Sequence, residues 1–178
     1  MAEGETQSAI PDAGAAPATG FGQGFLYGLW YFAEIGSALK PGALKRYEIL
    51  GEPVLLGRAR SGEVYALRDI CPHRAAPLSA GRLVKDPAGA EVVECPYHGW
   101  KFRTLDGVCA EVPSMVDGQD FDAGRIRVRS YPARESQGLV WVFMAESARA
   151  PGPGPDDHPP VFEGVVGGAP RLVERMDF

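Results

Sequence analysis

Two short stretches of the sequence pair a cysteine with a histidine, and each places a proline directly after its cysteine. The first is CPHR at residues 71–74, and the second is CPYHGWKF at residues 95–102. Thiolate and imidazole are ligands that proteins use for zinc and for iron–sulfur clusters. Proline fixes φ and removes an amide donor, so it stiffens a loop around a buried centre. The pattern predicts a metal site with four ligands: Cys71, His73, Cys95 and His98.

Two other interpretations compete with an iron–sulfur cluster. The four side chains could be core thiols and unrelated histidines, but that interpretation has to explain both loops at once. A tetrahedral zinc site is the stronger alternative, although zinc fingers place both cysteines in one loop and both histidines on a following helix. Here each loop supplies one cysteine and one histidine, separated by 21 residues (74–94) without a helical pattern. This division suits a [2Fe–2S] centre with cysteines on one iron and histidines on the other, while zinc remains open.

The residues around both loops alternate between short β-forming runs and turns. The chain has 23 glycines and 16 prolines, which indicates many turns and few long helices. Valine, isoleucine and aromatic residues dominate the runs, as is typical of strands. We therefore expect an all-β fold, an antiparallel sandwich or barrel. The predicted strands are residues 47–50, 53–56, 63–67, 91–94, 100–103, 125–128 and 139–143.

Charge and hydropathy exclude several classes of function. The net charge of −5 disfavours a nucleic-acid binder, which needs a basic face. No apolar stretch is long enough to span a bilayer, and the N-terminus lacks the basic region of a secretory signal. We therefore expect a cytoplasmic protein that binds neither nucleic acid nor membrane. Three cysteines in a reducing compartment do not form a disulfide framework, and Cys109, which has no partner at ligand spacing, is predicted to be a buried structural residue.

Composition divides the chain into three parts. Residues 1–24 are rich in alanine and glycine and are expected to be a disordered tail. Residues 25–149 form the predicted folded domain, which opens with an aromatic segment at 25–32 that we expect to cover the core. Residues 150–178 begin with APGPGPDDHPP, a stiff and extended linker, and end with what is expected to be the start of a further domain that is absent.

The two loops and their surroundings resemble the N-terminal domain of Rieske non-haem iron oxygenases, in particular the aromatic ring-hydroxylating and vanillate-demethylase-like members. The likeness extends from about Trp30 to about Phe143, and the motifs CPHR and CPYHGWKF carry it. The resemblance implies the Rieske fold with two cluster-binding loops. It also implies a reductase or ferredoxin as electron donor and the catalytic domain of an oxygenase as partner, with a homo-oligomer as one possible setting. Carried over by residue, Cys71 and Cys95 would bind the inner iron, and His73 and His98 the outer iron near the surface.

The resemblance also implies a low reduction potential. High-potential respiratory members carry an extra cysteine in each loop, joined as a disulfide, where this chain has Ala76 and Tyr97. They also carry hydroxyl groups that donate to sulfur, where this chain has Trp100 and Phe102. Fewer hydrogen bonds to sulfur stabilise the reduced cluster less. We therefore expect a potential near the lower end of the Rieske range, which runs from about −150 to +300 mV.

A Rieske oxygenase also needs a mononuclear Fe(II) held by two histidines and one carboxylate. The chain has three histidines, and the cluster would take two of them, which leaves His158 alone in the linker. Whether the chain acts as an enzyme is therefore open, because oxygenase chemistry needs the missing domain. We expect the electron-transfer domain of a truncated oxygenase, and the alternative is a free-standing Rieske-type ferredoxin. The segments 25–32 and 150–178 favour the truncated oxygenase, because a compact carrier needs neither.

Overall fold

The computed structural model describes residues 24–115 and 122–163 of the chain. The predicted tail, apart from Gly24, and the residues after 163 lie outside the described residues. Among the described residues the regular secondary structure is almost all strand, with three short 3₁₀ turns at Gly36–Ala38, Leu78–Ala80 and Ala123–Arg125. The eleven strands are β1 (Leu29–Ile35), β2 (Leu44–Ile49), β3 (Glu52–Arg58), β4 (Val64–Arg68), β5 (Arg82–Lys85), β6 (Glu91–Glu94), β7 (Lys101–Arg103), β8 (Cys109–Glu111), β9 (Ser130–Tyr131), β10 (Ala133–Ser136) and β11 (Leu139–Met144).

The strands form three antiparallel sheets, which confirms the predicted fold class. The terminal sheet has the order β1-β11-β10, the central sheet β2-β3-β4-β9, and the loop sheet β5-β6-β7-β8. Most neighbours in each sheet are also neighbours in sequence, so short turns connect them. Two pairings are exceptions: β1 pairs with β11, about a hundred residues later in the sequence, and β4 pairs with β9. No helix of the described residues is long and apolar enough to cross a membrane.

The central sheet is buried on both faces, which places it between the other two. Successive side chains of a strand point to opposite faces. Leu55 accordingly joins one apolar core with Val93 of the loop sheet. Its neighbour Leu56 joins the other core with Val142 of the terminal sheet. This position explains why β3 is a continuous apolar run and not an alternating one.

Two buried charges connect the terminal and central sheets. Arg58 is 9% exposed and pairs with Glu135 of β10 at 2.7 Å, while its guanidinium also donates to backbone carbonyls. Glu34 of β1 accepts hydrogen bonds from Lys45 and Tyr47 of β2. Burial by itself would raise the pKa of Glu34, but the hydrogen bonds from Lys45, Tyr47 and the Ile35 amide outweigh it and lower the pKa. The carboxylate therefore stabilises the folded state in its ionised form.

Six of the predicted strand runs overlap observed strands, and the run at 91–94 coincides with β6. The prediction of a strand at 125–128 is wrong. Residues 123–125 form a 3₁₀ turn, whose N-cap Asp122 accepts a hydrogen bond from the Gly124 amide. In this run Arg125 and Arg127 alternate with Ile126 and Val128. Val128 is buried and Arg127 is exposed, as such an alternation predicts, but only one isolated bridge joins Arg127 to Val108. Alternating burial can therefore also occur in a segment that has no regular strand pairing.

The Glu34 contacts predict a specific dependence of stability on pH. Because the folded-state pKa lies below the ordinary value of 4.5, stability from this group is present above that pH and is lost as pH falls through the folded-state pKa. Glu34→Gln should therefore lower the free energy of unfolding at pH 7, by roughly 1–3 kcal/mol, and reduce the loss of stability on acidification. Urea unfolding followed by tryptophan fluorescence between pH 7 and pH 3 measures both effects. The control Glu48→Gln changes an exposed carboxylate of β2, and an equal effect of both substitutions would contradict this account.

Candidate metal centre

The two Cys–His loops lie at one end of the loop sheet. The first loop, residues 71–77, follows β4 and leads through the 3₁₀ turn at 78–80 into β5. The second loop, residues 95–100, joins β6 to β7. β5 and β6 pair from Arg82↔Glu94 to Lys85↔Glu91. This pairing holds the end of the first loop next to the beginning of the second.

The two loops have the same backbone closure. In the first, the Cys71 amide donates to Ala76 O at 2.9 Å and Cys71 O accepts from the Ala75 amide at 2.8 Å. In the second, the Cys95 amide donates to Trp100 O at 2.8 Å and Cys95 O accepts from the Gly99 amide at 3.1 Å. Ala75 and Gly99 both have positive φ, +55° and +71°. The loops are thus structural equivalents, although their histidines stand at different spacings from the cysteines.

The thiols are buried and lie close to each other. Cys71 is 1% exposed and Cys95 is 3% exposed, and both belong to the core between the central and loop sheets. Burial raises the pKa of the Cys71 thiol, the amides of His73 and Arg74 act against it, and the neighbouring Cys95 thiol adds to it. A metal must therefore displace protons from these thiols, and a bound cation makes that possible. The two amides directed at Cys71 would also donate hydrogen bonds to a metal-bound sulfur.

The imidazoles form a second pair at the surface. The rings of His73 and His98 have centroids 4.7 Å apart, and both residues are exposed. Trp100 stacks on His73 at 4.7 Å with an interplanar angle of 5°, and the exposed Tyr97 lies 3.9 Å from the His98 ring. Partial desolvation, His98 and Arg74 lower the pKa of His73, which favours the neutral ring that binds metals. Trp100 thus packs over the first loop.

The pairing distinguishes the metals that the sequence left open. No three His, Cys, Asp or Glu side chains among the described residues are arranged to hold one metal ion. The predicted ligands instead form a buried thiol pair and an exposed imidazole pair. A [2Fe–2S] cluster of mixed ligation needs two protein ligands on each iron, whereas a structural zinc site needs four around one point. The donor set therefore fits the two-iron cluster.

Asp69 anchors the first loop, a role that the sequence analysis missed. Its carboxylate is 1% exposed and accepts from the Ser79 amide and the Ser79 hydroxyl, each at 2.7 Å. Arg46 of β2 balances the charge at 3.1 Å. Asp69 precedes the loop and Ser79 follows it, so this contact closes the loop at its base. The only available signal was that two polar residues, Asp69 and Ser79, flank the predicted ligand loop. Their spacing in the sequence does not reveal that they are in contact.

Gly81 allows the two loops to approach. A Cβ atom added at this position would lie 2.0 Å from the carbonyl oxygen of Glu94, the residue that precedes Cys95. Only glycine tolerates this approach of two backbones. The size of residue 81 therefore controls the separation of the two loops.

The remaining candidates from the sequence lie outside the pairs. Cys109 is buried at 3% exposure, and its thiol contacts the carbonyl of Glu111 at 3.5 Å, in agreement with a structural role. His158 is exposed and lies 2.8 Å from Arg134 in the proline-rich segment. All three cysteines are free.

Comparison with known proteins shows which protein family the region around the two loops matches. The family model of the Rieske [2Fe–2S] domain matches residues 29–132. A 4beta-methylsterol monooxygenase of Methylococcus capsulatus is 40% identical over 123 residues, which cover 69% of this chain and 32% of that protein. The oxygenase component of dicamba O-demethylase of Stenotrophomonas maltophilia is 39% identical over 133 residues, 74% of this chain and 36% of that protein.

Solved structures give the same result. Apo dicamba monooxygenase superposes with a TM-score of 0.58 at 37% identity, over 68% of this chain and 35% of that one. The oxygenase in a reduced complex with ferredoxin, from carbazole 1,9a-dioxygenase, superposes with a TM-score of 0.59 at 26% identity, over 72% and 30%. The chain therefore spans about a third of the length of the relatives it matches.

The approach at Gly81 predicts that a single methyl group disturbs the site. Gly81→Ala should separate the loops, because its Cβ would meet backbone and not a movable side chain. We expect bound iron per chain to fall at least two-fold, and stability to fall by roughly 1–3 kcal/mol. Iron analysis after reconstitution and urea unfolding measure these changes. Gly152→Ala, where a Cβ meets open space, is the control, and unchanged iron binding in Gly81→Ala would refute the role of this residue.

The Asp69 anchor predicts how firmly the cluster is held. Asp69→Asn keeps the shape but places an amide NH₂ where a carboxylate oxygen accepts from Ser79 and Arg46. The cluster should still assemble, but chelator should remove it several-fold faster, because the loop opens more often. Decay of the visible absorption in excess EDTA gives the rate. Asp106→Asn alters a partly exposed aspartate that accepts hydrogen bonds from Arg103 and Val108 within its own turn, and equal rates for both variants would contradict the anchoring role.

Proposed function

The chain belongs to the Rieske [2Fe–2S] domain family, and from this membership we propose that it is the electron-transfer domain of a longer Rieske oxygenase. Such a domain accepts electrons from a reductase or ferredoxin and passes them to a mononuclear non-haem iron. The observation that carries the proposal is the arrangement of the two pairs, with thiols in the core and imidazoles at the surface. An electron carrier needs one edge of its cofactor close to the surface and the rest sealed from water.

We propose Cys71 and Cys95 as ligands of the inner iron and His73 and His98 as ligands of the outer iron. Three observations support this assignment: the equivalent closure of the two loops, the proximity of the thiols, and the 4.7 Å between the imidazole rings. When bound, the cluster takes up and releases one electron at a time. The protein supplies thiolates in a dry core and neutral imidazoles at the rim.

Two aromatic side chains hold the imidazoles in place. The stack of Trp100 on His73 restricts rotation of that ring, and Tyr97 does the same for His98 from the solvent side. Tyr97 is 62% exposed, so it would also contact a redox partner that docks over the histidines. Pre-oriented ligands reduce the rearrangement that accompanies electron transfer.

The surroundings of the sulfurs support a low reduction potential. Phe102 is fully buried in the core that contains both thiols, and it has no hydroxyl to donate. Neither Ala76 nor Tyr97 can form the disulfide of the high-potential members. A reduced cluster with few hydrogen-bond donors is stabilised less, so it is a stronger reductant. Such a potential suits electron delivery to an iron that activates oxygen.

The partners follow from the same comparison. A relative whose structure is described as a complex of oxygenase and ferredoxin supports a ferredoxin or reductase as donor. The relatives are about three times as long as the matched region. We therefore place the mononuclear Fe(II) and its catalytic domain outside this sequence, with residues 25–149 as the Rieske domain and 150–178 as the connection. The acceptor domain belongs, in this proposal, to a homo-oligomer of the whole protein. We place the protein in the cytoplasm, where free thiols persist.

Reconstitution tests the proposal directly. Protein supplied with iron and sulfide without oxygen should bind about two irons and two sulfides per chain. After reduction it should show an EPR signal with an average g value below that of all-cysteine clusters. Stoichiometric zinc without iron, in a colourless product, would refute the proposal.

Ligand exchange tests the assignment by residue. His73→Cys or His98→Cys should lower the reduction potential of any cluster that still forms, because thiolate donates more charge than imidazole. Cys109→Ser is the matched control and should leave the iron content unchanged. A histidine variant with an unchanged potential, or loss of the cluster in the control, would show that the ligand set is wrong.

A further inference from the structure

The proline-rich segment that the sequence predicted as a linker lies against the terminal sheet. Five of its thirteen residues, 150–162, are proline. It contains a turn in which the Asp157 amide donates to Gly154 O at 3.1 Å. Pro159 is buried, which a freely moving linker would not require. We call residues 150–162 the strap.

The strap covers the outward face of the terminal sheet. On β11, Val140 and Val142 point into the core shared with the central sheet, so Trp141 and Phe143 point the other way. These outward side chains are nevertheless only 7% and 4% exposed. The Phe162 ring of the strap lies 6.4 Å from the Trp141 ring. We define the tryptophan face by the residues that contact the strap: Trp30, Arg134, Gln137 and Trp141.

Trp30 and Arg134 form the first anchor of the strap. The Trp30 indole N–H donates to the carboxylate of Asp157 at 3.0 Å. Arg134 lies over the Trp30 ring at 5.2 Å, donates to Asp157 O at 3.2 Å and lies 2.8 Å from His158 Nδ1. One aspartate of the strap is therefore held through both its side chain and its backbone.

Gln137 forms the second anchor. Its side-chain amide donates to Phe162 O at 3.1 Å and accepts from the Phe162 amide at 2.8 Å. This double contact reproduces the hydrogen bonds that a neighbouring strand would make. Gln137 occupies the β10–β11 turn with φ +53°, followed by Gly138 with φ +77°. Asparagine or glycine is the usual residue for such a turn, so the glutamine is unusual there and its side chain makes the contact.

Proline makes this docking favourable. A proline-rich chain is already extended before it binds and loses little conformational freedom. Its backbone has few internal hydrogen bonds, so its carbonyls and remaining amides are free for side chains of the sheet. Indole, guanidinium and side-chain amide on an aromatic surface are the groups by which proteins recognise such segments.

The strap begins beside the turn that follows β7. Leu105 of that turn lines one cleft with Ala150 and Gly152. The second Cys–His loop precedes β7, so the cleft and that loop lie at opposite ends of this strand.

We propose that the strap is an intramolecular ligand of the tryptophan face that rigidly fixes where the chain continues after residue 162. Under the proposed function, this fixed direction sets how the domain is attached to the rest of the oxygenase, and only this consequence rests on the proposed function. The docking itself follows from the two anchors and from the burial of Trp141 and Pro159.

A fluorophore at the end of the strap tests the proposal. Glu163→Cys can be labelled in cluster-loaded protein, because the three native cysteines are buried. The parent protein, treated with the same fluorophore, should remain unlabelled, which verifies that the label attaches only at residue 163. The anisotropy of the label should decay mainly with the tumbling of the whole chain. Adding Gln137→Asn, which suits the turn but shortens the amide, together with Trp30→Phe should increase the amplitude of fast local motion at least two-fold.

The control and a second readout make the result decisive. Tyr31→Phe removes a hydrogen bond from the opposite face of β1 to Leu26 O and should leave the decay unchanged. Hydrogen exchange of the Phe162 amide should become at least ten-fold faster in Gln137→Asn alone. Fast motion before any anchor is removed, or unchanged motion and exchange afterwards, would overturn the proposal. The absorption spectrum of the same samples shows separately whether the cluster is bound. A missing cluster would count against the proposed function and not against the strap.

Discussion

The candidate metal centre depends on the close approach of two Cys–His loops. Antiparallel pairing of β5 with β6 brings the end of one loop to the start of the other, and Gly81 lets their backbones come together. Asp69 closes the first loop at its base. The equivalent hydrogen bonds within both loops then present two thiols inward and two imidazoles outward. Local closure and strand pairing are both needed, because either alone leaves the four side chains apart.

The central sheet gives this site a rigid support by being buried on both faces. One face contributes Leu55 and Leu67 to the core that contains the thiols, and the other contributes Val54 and Leu56 to the core under the terminal sheet. A buried thiol pair has no water to solvate its charge, so it favours a bound cluster over free thiolates. The imidazoles, by contrast, are exposed to water. The boundary between core and solvent thus runs between the thiol pair and the imidazole pair.

The two ends of the domain have different roles. The Cys–His loops occupy one end of the loop sheet, and the strap begins near the other. Under the proposed function, the strap joins this domain to the rest of a longer oxygenase, since the relatives are about three times as long as the matched region. Contacts with the tryptophan face set the direction of this connection. Its composition had predicted a stiff spacer, and the anchors at Trp30 and Gln137 add a fixed place on the surface.

The fold class, most strand positions and the Cys–Pro and histidine pattern that predicts the ligands can be obtained from the sequence alone, because residue type, turn signals and periodicity are local properties. The assignment of the four ligands stays a prediction, although the pairs it named do meet. The contacts between distant segments were needed to show that residues 125–128 are not a strand, that Asp69 contacts Ser79, that Gly81 faces the carbonyl of Glu94, and that the strap docks. Each of these depends on which distant segments become neighbours, and pairing across a sheet or between sheets leaves no periodic trace in the sequence.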